Sequence, residues 1–437
     1  MAAPRPRAYI ETLGCPKNQV DSDKLAGVLA ADGYAMAGSA GEADLIVVNT
    51  CAFIEAARTE SVDTILALSD AKADGARLVV TGCMAERYGA ELAAALPEAD
   101  LVAGFGVPVS LGRKQKGSTD ISAALPSFDL LNLPRPPVDA PWAYVKIAEG
   151  CDRSCGFCAI PSFRGPQRSR SIEAILGEVN TLVAGGVREI VLVAQDLASF
   201  GRDRRGQGRP PEALAGPQPI VDLVERVSAQ VPWTRLLYLY PSDLSAGLID
   251  VIGTTTGVPY YDLSLQHVSK PLLRRMRRWG DGPRFADRIA SIRDRYPDAA
   301  FRTSFIVGYP GETEADHDAL LGFIAEQRLD WVGLFAYSAE DGTHAAGLDG
   351  EVVPDVMAQR LAEAQALADD VTSVARSERL GDIVEVLVDE PGTARSHREA
   401  PEIDGVIKVP ATLPVGAFAK VEITGVEGPD LHAVAAP

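Results

Sequence analysis

The sequence is poor in the residues on which many catalytic and nucleic-acid-binding sites depend. Its 437 residues include only six cysteines and five histidines, and aromatic residues make up 6%. Positive charge is also scarce, because 42 lysines and arginines stand against 60 acidic residues and leave a net charge of −18. This balance disfavours a general nucleic-acid binder, since phosphate contacts need basic surfaces, and it favours a basic partner.

Long apolar runs are also missing. No stretch approaches the length of a membrane span, and the start, MAAPRPRAYIE, lacks the apolar core of a signal peptide. Hydrophobic residues make up 46% and charged residues 23%, as in ordinary globular domains. We therefore expect a cytoplasmic protein without membrane association. Its thiols should stay reduced, so that metal sites explain cysteine spacing better than disulfides do.

The few cysteines divide into two sets of three with none left over. One set, CDRSCGFC, is compact and contains Cys151, Cys155 and Cys158. The members of the other set each follow a strand-like apolar run (AYIETLGC, DLIVVNTC and RLVVTGC) and are Cys15, Cys51 and Cys83. Most structural metal sites take four protein ligands, whereas three thiolates on a four-iron cluster leave one iron free. Two sets suggest two clusters, each with an open coordination position.

Residues 1–110 are predicted to form an N-terminal α/β domain. Strand-like and helix-like segments alternate from residue 8, which implies an open parallel sheet covered by helices. In such sheets ligands bind outside the carboxyl ends of the strands. The three dispersed cysteines all follow predicted strands, so we expect them to meet at one edge. The alternative is three unrelated buried cysteines, because free cysteine is commonly a small core residue.

The rest of the chain divides into three further segments. Residues 111–140 contain several prolines and are predicted to be a linker. Residues 141–375 hold six strand–helix units, two short of a closed eightfold barrel, which predicts an open (β/α)6 partial barrel followed by a long helix near 354–380. Residues 376–437 are short strands with Gly and Pro turns, typical of a small all-β barrel.

The CDRSCGFC run follows the first barrel strand, at the end where barrel enzymes carry their active sites. A zinc site would need a fourth ligand, and the nearest following histidine is His267. A disulfide would leave one cysteine unpaired. The spacing in this context resembles the radical S-adenosylmethionine (SAM) superfamily.

That resemblance implies that the three thiolates hold a 4Fe–4S cluster whose free iron binds SAM, and that the cluster delivers the electron that splits SAM into methionine and a 5′-deoxyadenosyl radical. It also implies cofactor contacts on the loop and at strand ends. Packing is an equal alternative for Phe157 and Ile160, and an ordinary capped turn is an alternative for the VGYPGET segment. The predicted SAM-contacting residues are Phe157, Ile160, Gln195, Gln266, Gly308 and Gly311.

Taken together, the two cysteine sets and the small terminal barrel resemble the radical SAM methylthiotransferases over nearly the whole chain. The resemblance implies a second 4Fe–4S cluster on Cys15, Cys51 and Cys83, which presents the sulfur that is inserted. Within this set we assign the catalytic role to Cys51. The terminal barrel is similar to a TRAM domain.

Two substrate classes compete within this family. ETLGCPKNQVDSDK and EGCDRSCGFCAIPSFRGPQRSR resemble the RimO-type enzymes, which modify the β-carbon of an aspartate in the twelfth protein of the small ribosomal subunit. The other class modifies an adenosine in tRNA. The terminal barrel, 381–437, has ten acidic and four basic residues, a balance of −6 that suits a basic protein better than RNA. We expect its acidic face to include Glu399, Glu402 and Asp404.

Some observations oppose this interpretation. Two basic runs, 202–209 and 270–278, could meet phosphates of ribosomal RNA beside the target, although such runs are more often solvated faces or loops. A non-enzymatic iron–sulfur electron carrier is a further alternative, but carriers usually close the cluster with a fourth cysteine. We expect a monomer that takes electrons from a flavodoxin or ferredoxin.

Overall fold

The computed structural model describes residues 5–105, 130–204 and 218–436. The chain forms two compact units. Unit 1 consists of Met1–Pro137, Glu149–Asp152 and Cys158–Arg170, and unit 2 consists of Val138–Ala148, Arg153–Phe157 and Ser171–Pro437. The basic run 202–209 lies largely outside the described residues, and so does most of the predicted linker 111–140.

Unit 1 is built on a five-stranded parallel sheet in the order β2-β1-β3-β4-β5. The central strand β3 is buried at every position, as parallel strands covered on both faces are. The strands are β1 (Arg7–Thr12), β2 (Ala35–Met36), β3 (Leu45–Thr50), β4 (Arg77–Gly82) and β5 (Leu101–Val102). The helices are α1 (Pro16–Ala31), α2 (Glu55–Ala71), α3 (Cys83–Ala95) and, later in the chain, α4 (Ile160–Arg164). The short β2 was not predicted from the sequence.

Unit 2 contains six parallel strands of an open barrel. They pair as β10-β9-β6 and β11-β12-β13, and a parallel bridge between Leu239 and Leu263 joins the two sets. The strands are β6 (Trp142–Lys146), β9 (Glu189–Val193), β10 (Trp233–Leu236), β11 (Tyr260–Gln266), β12 (Ala300–Val307) and β13 (Trp331–Ala336). Two-residue strands, β7 (Ala148–Glu149) and β8 (Arg168–Ser169), flank the cysteine loop and α4.

Helices cover the barrel strands and enclose one large apolar core. They are α5 (Ile172–Ala184), α6 (Pro219–Ser228), α7 (Ala246–Thr254), α8 (Lys270–Arg275), α9 (Gly282–Arg295), α10 (Glu314–Gln327) and α11 (Pro354–Ser377). All seven of these helices begin at a side-chain cap or an N-terminal proline, such as the Thr313–Asp316 capping box of α10. The long helix α11 ends three residues before the predicted position.

The C-terminal segment of unit 2 is a closed five-stranded β-barrel in the order β14-β15-β16-β18-β17. The strands are β14 (Ile383–Glu390), β15 (Thr393–Arg395), β16 (Ile407–Lys408), β17 (Phe418–Glu427) and β18 (Asp430–Ala435). The predicted architecture is therefore confirmed: an open parallel α/β sheet, a (β/α)6 partial barrel and a small all-β barrel.

The expectation that Glu399 and Asp404 belong to an exposed acidic face is wrong. Glu399 is fully buried, pairs with Arg376 and accepts hydrogen bonds from the Ser396 amide and hydroxyl. The Asp404 carboxylate is 1% exposed and accepts hydrogen bonds from the Tyr260 hydroxyl at 2.5 Å and the Ala400 amide at 2.8 Å. Both acids therefore satisfy buried donors, and only Glu402 of the three is exposed.

Candidate functional site

The three dispersed cysteines lie at one edge of the unit 1 sheet. Cys15 lies after β1 and is the N-cap residue of α1. Cys51 directly follows β3, and Cys83 directly follows β4 as the first residue of α3. Since β1, β3 and β4 are adjacent and parallel, their carboxyl ends meet at this edge. Cys51 and Cys83 are buried and Cys15 is partly exposed.

Two glycines let the backbone approach these thiols closely. Gly14 has φ +96°, and a Cβ built on it would lie 2.9 Å from the Cys51 Sγ atom. Gly82, directly before Cys83, has φ +93°, and a Cβ there would lie 2.3 Å from Asn49 Oδ1. Both positions combine a left-handed backbone with no room for a side chain, so glycine is required at each.

Asn18 ties the strand ends together. Its side-chain amide donates to the carbonyls of Leu13, at 2.9 Å, and Thr50, at 3.0 Å, which follow and end β1 and β3. Its Oδ1 atom accepts a hydrogen bond from the buried Arg164 at 2.7 Å. No sequence pattern indicates a role for Asn18, because its role depends on contacts between elements.

The thiols of this set differ in acidity. Burial, followed by the charge of Cys83, raises the pKa of Cys51 to about 12. Burial also raises the pKa of Cys83, although Arg164 opposes it. Burial also raises the pKa of Cys15. The positive charge of Lys17 and the backbone amide of Asn18 lower it by more, so the pKa of Cys15 is lowered overall. The thiols act on each other electrostatically, as neighbours in one site do.

The donor set suits an iron–sulfur cluster. Within 5–105, 130–204 and 218–436, no three His, Cys, Asp or Glu side chains stand in the arrangement that a single metal ion requires. The thiolates of a 4Fe–4S cluster bind separate irons, so they lie further apart than the ligands of one ion. Soft thiolates with no histidine or carboxylate among them are the ligands that such clusters prefer.

The second set lies on the loop between β7 and α4. In unit 1, the Cys151 amide donates to the Gly165 carbonyl at 3.1 Å. In unit 2, the Gly156 amide donates to the Met276 carbonyl and the Gly156 carbonyl accepts from Ala345, both at 2.8 Å. Cys158, the last cysteine of the loop, belongs to unit 1. The short chain spacing of Cys151, Cys155 and Cys158 and their pure thiol donor set fit a second cluster.

One arginine of unit 2 contacts Cys155, and a second stacks on the same tyrosine ring as the first. Arg278 donates to the Cys155 Sγ atom at 3.4 Å, and its guanidinium stacks on the Tyr240 ring at 3.9 Å. Arg153 stacks on the same ring at 3.9 Å and pairs with Asp196 and Asp243. Arg278 ends the basic run 270–278, so part of that run faces the protein interior, whereas Lys270 and Arg274 are exposed.

The residues predicted to contact SAM lie at several positions. Phe157 packs against the unit 2 core and Ile160 is the first residue of α4, in unit 1. Gln195 follows β9, and Gln266 ends β11 with φ +72° beside a register shift. Their contact with SAM remains a prediction.

The glycine turn after β12 is held by protein groups. The Gly308 amide donates to the Glu312 carboxylate at 2.5 Å, and the Gly311 amide donates to the Gly350 carbonyl at 2.6 Å. Both glycines have positive φ, and Thr313 caps α10. These contacts fit the capped-turn alternative, and the predicted contact with SAM stays untested.

Family models match all three parts of the chain. Residues 7–104 match the uncharacterized protein family UPF0004, residues 145–324 match the radical SAM superfamily, and residues 380–435 match the TRAM domain. The chain is thus a radical SAM enzyme that carries an N-terminal UPF0004 domain and a TRAM domain. The predicted domain limits at 110, 140 and 375 remain predictions.

Curated relatives match the chain from end to end. A ribosomal protein uS12 methylthiotransferase RimO from Moorella thermoacetica is 42% identical over 96% of this chain and 96% of its own length. One from Streptomyces coelicolor is 41% identical over 97% of this chain and 95% of its own. The chain therefore belongs to the RimO family of ribosomal protein uS12 methylthiotransferases. The family uses SAM and 4Fe–4S clusters, as the resemblance implied.

One solved structure is also similar to this chain. The radical SAM methyltransferase TsrM from Kitasatospora setae is 14% identical, covers 76% of this chain and 73% of its own, and has a TM-score of 0.48.

Proposed function

We propose that this protein inserts a methylthio group at the β-carbon of an aspartate in ribosomal protein uS12. The observation that carries the proposal is the pair of three-cysteine sets in a chain that RimO relatives match from end to end. SAM and the 4Fe–4S clusters supply the radical and sulfur chemistry when bound. The residues of this chain bind these groups, orient them and exclude water around them.

We assign one cluster and one role to each set of three cysteines. Cys151, Cys155 and Cys158 hold the cluster at which SAM binds, with Arg278 as a donor to the Cys155 sulfur. The other cluster, which presents the sulfur, is held by Cys15, Cys51 and Cys83. Cys51 is the catalytic member of this set, and its burial keeps the site shielded from water.

SAM would be held by residues of the cysteine loop and α4 and by residues at the carboxyl ends of the barrel strands. Gln195, Gln266, Gly308 and Gly311 lie at or after strand ends. The positive φ of Gln266 and of the two glycines supports this assignment, because such positions let backbone approach a ligand. The proposed contacts are Phe157, Ile160, Gln195, Gln266, Gly308 and Gly311.

The remaining features of the proposal concern partners and location. The acidic C-terminal barrel suits a basic ribosomal protein, because charge complementarity raises encounter rates. We propose that a flavodoxin or ferredoxin supplies electrons, that ribosomal RNA beside the target adds a contact, and that the enzyme acts as a monomer in the cytoplasm. No helix in the described part of the chain has the length and apolar character of a membrane span.

Mass spectrometry tests the proposed function. The anaerobically reconstituted enzyme is incubated with SAM, a strong reductant and either purified uS12 or unmodified tRNA. We expect uS12 to gain the mass of one methylthio group at a single aspartate while tRNA stays unmodified. Methylthio transfer to tRNA alone would overturn the assignment and favour the tRNA class.

A further inference from the structure

Arg164 is a buried arginine for which no sequence pattern predicts a role. It is the last residue of α4, 7% exposed, and lies in unit 1 with the dispersed cysteines. Its Nη2 atom donates to the Cys83 Sγ atom at 3.0 Å and to Asn18 Oδ1 at 2.7 Å. A positive charge thus lies in direct contact with a proposed cluster ligand.

Two carboxylates hold the guanidinium in this orientation. Arg164 Nη1 donates to Asp21 at 3.0 Å and to Glu149 at 3.0 Å, and the guanidinium stacks on the Phe105 ring at 4.2 Å. A planar fork can satisfy four acceptors at once from two nitrogens, whereas a lysine ammonium cannot match that geometry. The contacts leave the Nη2 edge directed at the thiol.

The same residue also braces the segment that carries Cys151. Glu149, which pairs with Arg164, lies two residues before Cys151 in the chain. Gly165, the residue after Arg164, accepts the hydrogen bond from the Cys151 amide at 3.1 Å. The Arg164–Gly165 pair therefore contacts one member of the dispersed set and the backbone of one member of the loop set.

We propose that Arg164 is a positioning residue for the N-terminal cluster, and this inference rests on the proposed cluster role of Cys83. Its N–H group donates to the Cys83 thiolate, which stabilises the more negative, reduced cluster and raises its reduction potential. Through Glu149 and Gly165 it also fixes the backbone beside Cys151, which belongs to the loop set.

The test compares three full-length variants. Arg164→Gln removes the charge, and Arg164→Lys keeps the charge but loses the fork. Arg235→Lys is the matched control, because Arg235 is also fully buried and bonded to a carboxylate, Glu189, but belongs to unit 2 and donates to no cysteine in the described contacts. Each is made with Cys151, Cys155 and Cys158 changed to Ala, so that redox titration followed by electron paramagnetic resonance reports on the N-terminal cluster alone.

We expect the midpoint potential to fall in Arg164→Gln, to fall less in Arg164→Lys, and to stay unchanged in Arg235→Lys. Loss of iron from a folded Arg164→Gln variant, with wild-type circular dichroism, would also support the positioning role. With the loop cysteines restored, methylthio transfer should fall about 10- to 100-fold, as for other partners of metal ligands.

An unchanged potential and iron content in both Arg164 variants would overturn the inference. This result differs from failure of the proposed function, which would show as no methylthio transfer to uS12 by the wild-type enzyme.

Discussion

Cys15, Cys51 and Cys83 are 36 and 32 residues apart in the chain, whereas Cys151, Cys155 and Cys158 share a loop of eight residues. The dispersed set depends on β1, β3 and β4 pairing in register and on close backbone approaches at Gly14 and Gly82. The loop set needs only a short segment and its anchors. The same ligand chemistry is thus built once by tertiary structure and once by local sequence.

The two sites should therefore tolerate different mutations. A site assembled from three strand ends should be lost when any of the strands or glycines is disturbed. A site on one loop should survive the same changes. The two sets should therefore be separable by mutation, both in function and in assembly.

The largest expected effect is a functional split between the two sets. Cys155→Ala should abolish SAM cleavage, because it removes a ligand of the cluster on which cleavage depends. Cys51→Ala should still release 5′-deoxyadenosine but should transfer no methylthio group. Chromatography of the nucleoside products and mass spectrometry of uS12 measure the two activities. Full transfer by Cys51→Ala would refute the role of the dispersed set.

Assembly of the dispersed set should depend on Gly14. In Gly14→Ala the new Cβ would lie 2.8 Å from the Cys51 Cβ atom, so we expect loss of the N-terminal cluster with retention of the other. Gly33→Ala is the matched control, because Gly33 has φ +93° and no atom within 4 Å of the added Cβ. Gly33→Ala should lower the free energy of unfolding by only the backbone strain, about 1–2 kcal/mol.

Iron analysis and thermal unfolding of both glycine variants check this expectation. Equal iron content in the Gly14→Ala and Gly33→Ala proteins would mean that the close approach at Gly14 is not needed for the cluster.

Acid should affect the two units unequally, because all five histidines of the chain belong to unit 2. His267 is fully buried, and burial lowers its pKa to about 4. The negative charge of Asp316 acts to raise this pKa, and the charge of His317 acts to lower it further. Since the unfolded state has the higher pKa, this contribution to stability is complete above pH ~6.5 and is lost as pH falls towards 4. Between pH 6.5 and 5 the loss is about 2 kcal/mol.

Denaturant unfolding at several pH values tests whether His267 causes this loss of stability in acid. His267→Gln should flatten the dependence between pH 5 and 6.5, whereas the exposed His432→Gln should not. An unchanged slope in His267→Gln would exclude His267 as the source.

The smallest expected effect concerns the acidic surface of the C-terminal barrel. Changing the exposed Glu385, Glu390 and Glu427 to Lys should slow association with uS12 and weaken its salt dependence, although each surface charge contributes only ~0–1 kcal/mol. Changing the exposed Glu60, Asp63 and Asp70 of α2 to Lys is the control, with the same change in net charge. A larger effect from the α2 variant would place the uS12 contact elsewhere.

Local sequence patterns predicted most of the architecture and both cysteine sets. The strand-then-cysteine pattern located Cys51 and Cys83 at strand ends, because polar or reactive residues after buried strands share one sheet edge. Contacts between distant segments could not be predicted in this way. Arg164 lies 81 residues from Cys83 in the chain, and the residues on either side of Arg164 do not indicate that it contacts this thiol.

The acidic residues of segment 399–404 show the same limit. Their charge suggested a surface, but the buried partners of Glu399 and Asp404 are Arg376 and Tyr260, which lie 23 and 144 residues away. Composition records how many charges a segment has, whereas burial depends on which donors the fold brings to them.

Iron content measured on three proteins tests whether each set of three cysteines holds one 4Fe–4S cluster. The wild-type chain, reconstituted anaerobically, should bind about eight irons, as two 4Fe–4S clusters require. The triple Ala variants of Cys15, Cys51 and Cys83, and of Cys151, Cys155 and Cys158, should each bind about four. A variant of either set that keeps the full wild-type iron content would contradict the account of two clusters built in two ways.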